Sequence, residues 1–352
     1  MIPVTLLSLA FLLIISIIGT PKSIKQLNSD VFFSVEQTNW LRGIAIIMVV
    51  LSHYYPLLGM TFSDGIISFS RNIGTVGVAI FFLLSGYATM ISYSKKENYL
   101  NHYIPKRLLR LYVPFLIVFV LHYILKCIFQ GEFVVRYLYS VPIMSLPDTP
   151  NWYLKVQICL YILFYIFAKL LKKNRSIIVS ISIMCLLYMI VGYCLKIDAF
   201  WYETIFAFPV GMLLAYKKEV FFRFFRKHSG IYISFSTIIL FAFTFPFFMK
   251  GGTLFEILFL IGCVQFVICI CTCICGDFKL TSLLGKCSLE LYLSHMVVIF
   301  LYNQFLDLTK LSTPINIALL LLYLAVSICL SLLVQKISNG IITKVQRSWF
   351  NK

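Results

Sequence analysis

Runs of about 20 apolar residues recur along this chain and are separated by short polar segments. Such a run is long enough to cross the hydrocarbon core of a bilayer as a helix, which satisfies its own backbone hydrogen bonds. With 61% hydrophobic residues, 12% charged residues and a mean hydropathy of +0.93, the chain is far more apolar than a soluble domain. The sequence therefore predicts an all-α, polytopic bundle of transmembrane helices and excludes a soluble globule.

The apolar pattern predicts about eleven spans, at residues 2–20, 40–58, 73–93, 108–128, 152–170, 176–194, 199–216, 230–249, 254–275, 284–305 and 313–337. The segment 133–146 is interpreted as loop or as a re-entrant or interfacial piece. The first run lacks the positively charged start of a cleaved signal peptide and is followed by Pro21 and Lys22. We therefore expect it to be a retained helix.

The formal net charge of +17 could indicate a nucleic-acid partner, but the basic residues do not form one stripe or tail. They are concentrated in alternate loops, such as 95–110, 169–175 and 217–227, whereas the opposite loops hold few, Lys126 among them. This is the positive-inside pattern. It predicts a multi-pass protein of the cytoplasmic membrane, surrounded by lipid, with its N-terminus outside and its C-terminus in the cytoplasm, and no nucleic-acid partner.

The eleven cysteines lie almost entirely inside apolar runs, where Cys behaves as a small hydrophobic residue. The alternating Cys269, Cys271, Cys273 and Cys275 resemble a metal-binding cluster, but alternate residues of a helix point in divergent directions. We expect neither a disulfide framework nor a metal site.

Two ionisable residues lie eleven positions apart in the second apolar run, Arg42 near its cytoplasmic end and His53 beyond the bilayer centre. Eleven helical steps return to within about 20° of the start and rise about 16 Å, so both residues share a face. Ionisable groups at such depth usually face a polar cavity or a partner. The alternatives are that Arg42 anchors to lipid phosphates and that His53 is a buried imidazole bonded to a neighbouring helix.

Other polar residues are candidates of the same kind. His295 lies in the tenth run at a depth similar to that of His53, and Glu290 precedes it, either as a functional carboxylate or as the structural partner of a cation on another helix. Arg107 and Arg110 share a helix face and suit phosphates, although cytoplasmic loops are rich in Arg for topological reasons. Ser85 is either a nucleophile or a packing residue in a Gly-rich run.

In this order the chain resembles the acyltransferase 3 family of integral membrane acyltransferases, which includes O-antigen and exopolysaccharide O-acetyltransferases. The resemblance is carried by the spacing of Arg42 and His53, Phe-Phe-Leu-Leu-Ser-Gly at 81–86, Arg-x-x-Arg at Arg107 and Arg110, Trp-x-Leu-x-Val at 152–156 and Tyr-Leu-x-His at 292–295. It implies a ten-helix core. The expected domains are an extra N-terminal helix with its cytoplasmic connection at 1–38, the acyltransferase domain at 39–338 and a basic cytoplasmic tail at 339–352.

The resemblance also implies an acyl-CoA donor, usually acetyl-CoA, a carbohydrate or other envelope acceptor, and no metal. It makes Arg42 and His53 the catalytic residues. We expect Arg42, Arg107 and Arg110 to bind the CoA phosphates and His53 to act as general base, since an imidazole suits proton removal at neutral pH. Secondary candidates are His295, Glu290, Ser85 and Gln157. Many members of the family carry Glu at the position of Gln157.

Three alternatives stay open at this point. A bundle with intramembrane charge also describes a transporter or a flippase for lipid-linked sugars. An enzyme of the same fold could act on an amino acid, a peptide or an antibiotic. The sequence does not separate direct transfer from an acyl-histidine intermediate, and it leaves a homo-oligomer open.

Overall fold

The computed structural model describes residues 20–21, 29–58, 65–130, 138–139, 141–142, 144–146, 152–242, 253–273, 276–277 and 279–350. The described chain is helical apart from turns and one antiparallel pairing of two-residue strands, β1 (Thr20–Pro21) and β2 (Gly276–Asp277). Its α-helices are α1 Val35–Tyr54, α2 Gly65–Lys95, α3 Tyr103–Gln130, α4 Trp152–Leu171, α5 Asn174–Cys194, α6 Ala207–Tyr216, α7 Lys218–Ala242, α8 Thr253–Cys273, α9 Lys279–Lys286, α10 Ser288–Phe305 and α11 Thr313–Phe350.

Six helical segments of the described chain are long and apolar enough to cross a membrane. The pair α9 and α10, which is interrupted at Cys287, counts as a seventh if its two parts form one span. The predicted all-α, multi-span architecture is thereby confirmed, whereas the number eleven is not reached among these residues. The predicted span 2–20 lies outside the described residues apart from Thr20, and so does half of the segment 133–146.

The structure differs from the predicted span at 199–216. A 3₁₀ turn at Ala199–Trp201 is followed by non-helical residues 202–206, and only the ten residues of α6 are α-helical. Glu203 and Thr204 are buried in the irregular part. The hydropathy of the segment is that of a span, but its buried polar turn interrupts the helix.

Two compact units make up the chain. The first comprises residues 1–95 and 178–286, and the second comprises 96–177 and 287–352. Helix α5 begins in the second and continues into the first. Helix α11 runs through residue 338, so the expected boundary between domain and tail falls inside one helix.

Glycines permit two close helix crossings in the first unit. A Cβ on Gly86 of α2 would overlap the carbonyl oxygen of Phe208 in α6, and one on Gly285 of α9 would overlap the carbonyl oxygen of Asn39 in α1. Small residues at helix contacts let backbones approach closely, which is how membrane helices gain packing energy.

The second unit packs α10 against α11 and both of them against α3. Side chains donate to backbone carbonyls across the α10–α11 contact. The Tyr302 hydroxyl donates to the Leu319 oxygen at 2.8 Å, and the Ser294 hydroxyl donates to the Ser327 oxygen at 3.4 Å. Such bonds between helices satisfy polar groups that lipid cannot solvate.

The start of α1 is fixed by a capping arrangement. Ser34 is the N-cap residue, and its hydroxyl accepts a hydrogen bond from the Gln37 backbone N–H at 3.3 Å. The Gln37 side chain accepts from the Phe33 N–H at 2.7 Å and donates to the Cys271 carbonyl of α8 at 2.9 Å. The first turn of α1 is thus tied to α8, which sets the position of the helix that carries Arg42 and His53.

Candidate active site

Arg42 and His53 both lie on α1, and both side chains are half-buried. Because α1 is unbroken over these positions, the side chains leave its axis in nearly the same direction, about 16 Å apart along it. Ala45, Ile46 and Val49, which lie between them on that face, are fully buried. The Arg42 guanidinium donates to the side-chain oxygen of Asn39 at 3.2 Å.

The hydrogen bond of His53 determines which ring nitrogen is basic. Nδ1 lies 3.0 Å from the carbonyl oxygen of Val49, one turn earlier in the helix. A carbonyl only accepts, so the proton is assigned to Nδ1, and in the neutral ring Nε2 keeps its lone pair. The Ser52 hydroxyl donates to the same carbonyl at 2.7 Å. The tautomer present is therefore the one in which Nε2 can accept a proton.

Helix α2 packs closely against the turn of α1 that precedes His53. A Cβ on Gly77 would come within 2.6 Å of the Ala45 oxygen and 2.9 Å of Val49 Cγ2, and a Cβ on Gly74 would come within 2.7 Å of Ser52 Cβ. The two glycines allow α2 to approach the turn of α1 that orients the imidazole. This close packing immobilises that turn.

Ser85 is half-buried on α2, next to Gly86 at the tight crossing with α6. The Gly-rich run around it serves close packing of these two helices. That surrounding supports the interpretation of Ser85 as a packing residue rather than as a nucleophile.

In the second unit, Arg107 and Arg110 of α3 have different surroundings. The Arg107 guanidinium donates to the Tyr99 hydroxyl at 2.9 Å and lies over the rings of Tyr103 and Tyr161, 5.4 Å and 4.8 Å from their centroids. Arg110 is exposed. The two residues were expected to share a helix face, and both lie on α3, but Arg107 is held in a tyrosine cage while Arg110 is exposed.

In the second unit, a series of side-chain contacts runs from Gln157 of α4 through two tyrosines to His295 of α10. The Tyr153 hydroxyl donates to Gln157 Oε1 at 3.4 Å, the Tyr153 ring meets the Tyr292 ring at 5.5 Å, and the Tyr292 ring lies 6.0 Å from that of His295. Gln157 and His295 are fully buried. Gln157 Nε2 has no hydrogen-bond partner among the described residues. A buried amide that can still donate is available to a ligand carbonyl.

His295 and Glu290 complete the secondary candidates in α10. Nδ1 of His295 donates to the Leu291 carbonyl at 3.0 Å, the same bond to the preceding turn that His53 makes. Glu290 is buried, and within the described part of the chain no Lys or Arg forms an ion pair with it. The structural ion pair considered for Glu290 is therefore not found there.

Two buried basic residues of α3 were not singled out from the sequence. His122 and Lys126, one helical turn apart, are buried against Phe300 of α10, with a ring separation of 5.2 Å for His122 and 5.8 Å from Nζ to the ring centroid for Lys126. Assigning Lys126 to a loop was wrong, because α3 extends to Gln130. The sequence signal that could have identified this pair is the spacing of four residues, which places both side chains on one face of a helix.

Among the described side chains, no three His, Cys, Asp or Glu residues are arranged to hold a metal ion. Cys269 and Cys271 of the alternating series are buried, and the side chains of Cys273 and Cys275 lie outside the described part.

The acyltransferase 3 family model, described as an acyltransferase domain, matches residues 35–336. No curated protein and no solved structure matches the chain. The matched range covers α1 to α10 and most of α11, and thus both units that hold the candidate residues. With several helices apolar enough to cross a membrane, the chain is a member of the acyltransferase 3 family and a multi-pass membrane acyltransferase.

Proposed function

We propose that this protein transfers an acetyl or other short acyl group from acyl-CoA to a hydroxyl of an envelope polysaccharide or of its lipid-linked precursor. It acts as a multi-pass protein of the cytoplasmic membrane, with the N-terminus outside and the C-terminus inside. The observation that carries the proposal is the tautomer of His53, whose Nε2 is the basic nitrogen. Membership of an acyltransferase family favours this function over that of a transporter.

The chemical step uses the imidazole as a general base and then as an acid. Nε2 of His53 removes the proton of the acceptor hydroxyl as its oxygen attacks the thioester carbonyl. The new C–O bond forms, the C–S bond breaks, and the CoA thiolate leaves and takes the proton from Nε2. The ring returns to its neutral form, and the Val49 carbonyl keeps Nδ1–H in place throughout. In the covalent variant, Nε2 itself attacks the thioester carbonyl, the C–S bond breaks and the CoA thiolate leaves. The acceptor oxygen then attacks the acyl-histidine, the C–N bond breaks, and the hydroxyl proton goes to the thiolate.

The donor carries phosphates, which guanidinium groups bind through charge-assisted hydrogen bonds. Arg110 is exposed and therefore accessible to a phosphate, whereas the Arg107 guanidinium donates to Tyr99 and lies over the ring of Tyr161. The Arg42 guanidinium, which donates to Asn39, carries five N–H donors in all. We assign the phosphates to Arg110 and Arg42, with Arg107 as the residue that positions the turn of α3 carrying Arg110.

The group around Gln157 is proposed to orient the donor. Nε2 of Gln157 donates to a carbonyl of the bound acyl-CoA, while Oε1 of the same amide accepts a hydrogen bond from the Tyr153 hydroxyl. His295 lies behind Tyr292 and keeps Nε2 as an acceptor, because its Nδ1 is bonded to Leu291. Glu290, which is buried on the same helix α10, is proposed to help orient the donor as well.

The test is acetyl transfer by purified protein from radiolabelled acetyl-CoA to envelope glycan, followed by mass spectrometry of envelope glycans from a strain that lacks the gene. Label in the glycan, and loss of acetylation in the deletion strain, support the proposal. Donor turnover without any change in the glycans would overturn the choice of acceptor. A purified protein that turns over neither acetyl-CoA nor longer acyl-CoA would overturn the choice of acyl-CoA as the donor.

A further inference from the structure

The first ten residues of α7, Lys218–Lys227, differ from the spanning helices in how their side chains are distributed. The backbone of His228 leaves the helical region (φ −113°, ψ 16°), so a kink separates this segment from the rest of α7. The segment contains three Arg and Lys side chains that are exposed and four Phe. We refer to Lys218–Lys227 as the basic aromatic segment.

One sector of the basic aromatic segment faces the protein. Phe222 and Phe225 are 6% and 5% exposed, and the Phe222 ring lies 5.5 Å from that of buried Phe32. Lys218 lies on the same sector, where burial lowers its pKa although nearby Asp30 raises it. These contacts fix the rotation of the segment about its axis.

The remaining surface divides into an apolar and a cationic sector. Val220 and Phe224 are 54% and 46% exposed, and at 100° per residue they lie about 40° apart. Arg223, Arg226 and Lys227 are exposed and cover about 100° beside them. Only Glu219 opposes their charge in that sector.

Packing on Phe32 leaves an apolar sector and a cationic sector of the segment exposed side by side. This arrangement fits the boundary between the acyl chains and the headgroups of a membrane. Helices of this kind lie in the interface plane with aromatic side chains in the acyl region and Lys or Arg among the headgroups. Anionic headgroups attract such residues by about 1 kcal/mol each. We propose that the basic aromatic segment lies in the membrane interface and binds anionic phospholipid, with Phe224 among the acyl chains and Arg223 and Arg226 at the phosphates.

The experiment places a reporter at Phe224. Full-length Phe224→Trp protein is reconstituted in vesicles of phosphatidylcholine that contain brominated phosphatidylglycerol or, at equal density, brominated phosphatidylcholine. The signal of the four native Trp is subtracted with the parent protein. We expect the added Trp to be quenched by both lipids, and more strongly by the anionic one.

Two charge variants decide the result. Arg223→Gln with Arg226→Gln should weaken the preference for the anionic lipid by up to about 30-fold. Lys172→Gln with Lys173→Gln removes two exposed cations from the turn between α4 and α5. This double variant should leave the preference for the anionic lipid unchanged. Equal quenching by both lipids, no quenching, or the same loss in both double variants would overturn the proposal. Reversal of the preference by inorganic phosphate would also overturn it, since the cations would then serve a soluble anion.

Discussion

Nδ1 of His53 lies 3.0 Å from the backbone carbonyl oxygen of Val49, which also accepts the Ser52 hydroxyl at 2.7 Å. The imidazole is thus oriented by its own helix. A peptide carbonyl accepts the hydrogen bond from Nδ1, as a carboxylate does from the catalytic histidine of many hydrolases. His295 makes the same bond to Leu291. In both residues a backbone carbonyl selects the tautomer. Substitution of neighbouring side chains does not remove this carbonyl.

Arg110→Gln should weaken donor binding without affecting stability. Arg110 is exposed, so its loss removes about one charge-assisted hydrogen bond to phosphate, which corresponds to about a 10-fold or larger increase in the KM for acetyl-CoA. Steady-state kinetics of the purified variant measures this change. Arg175→Gln, which removes another exposed arginine, is the control. A KM for Arg110→Gln equal to that of the control would rule out the phosphate role.

Arg107→Gln should lower stability as well as donor binding. It removes the hydrogen bond to Tyr99 and the contacts with the rings of Tyr103 and Tyr161, at a cost of about 1 to 3 kcal/mol. Thermal unfolding in detergent measures the loss. An unfolding temperature equal to that of Arg110→Gln would show that the cage contributes nothing to the packing of α3 on α4.

Gln157→Leu should separate function from stability. The change removes a buried donor that has no partner in the described part of the chain, and with it the oxygen that accepts the 3.4 Å hydrogen bond of Tyr153. The side-chain volume stays similar, so we expect the unfolding temperature to fall only slightly. If the amide holds a carbonyl of the donor, acyl transfer falls about 10-fold or more. Gln157→Glu keeps the shape but removes the donor and should also reduce transfer. Full activity in Gln157→Leu would exclude the amide from the reaction.

Gly285→Ala should destabilise the crossing of α9 and α1. The added Cβ overlaps the Asn39 carbonyl, and moving a backbone to accommodate it costs about 1 to 3 kcal/mol. Gly340→Ala is the matched control, because nothing lies within 4 Å of a Cβ there. The control should be neutral or stabilise by up to about 1 kcal/mol, since alanine favours a helix. Equal unfolding temperatures for the two variants would contradict the close crossing.

Hydropathy predicts the long spans well because it measures the preference of each side chain for an apolar over an aqueous environment. Six of the spans appear at or near the predicted positions. It fails at 199–216, where buried Glu203 and Thr204 lie in a turn that a sum over apolar neighbours cannot detect. Counting Lys126 with the outer loops was also wrong, although the predicted span 108–128 includes it: Lys126 belongs to α3 and is buried against Phe300.

Within the candidate site, helix periodicity was sufficient to place Arg42 and His53 on one face, because both belong to one helix. The tyrosine cage joins Arg107 to Tyr161, 54 positions away, and the path from Gln157 to His295 joins residues 138 positions apart. Contacts of this kind depend on which helices are neighbours, and a single sequence does not contain that information. The basic aromatic segment was seen only as charge in a loop, because its sectors depend on the side that packs on Phe32.

The central claim, that His53 is the base of an acyl-CoA-dependent transfer, is tested most directly by acetyl transfer from radiolabelled acetyl-CoA in purified His53→Asn protein. His102→Asn is the matched control, since His102 is exposed and Asn tolerates its left-handed backbone (φ 56°). We predict that His53→Asn loses about 10²- to 10⁴-fold in rate, with donor binding and unfolding temperature retained, while His102→Asn keeps full activity. Transfer at the parental rate by His53→Asn would contradict the account.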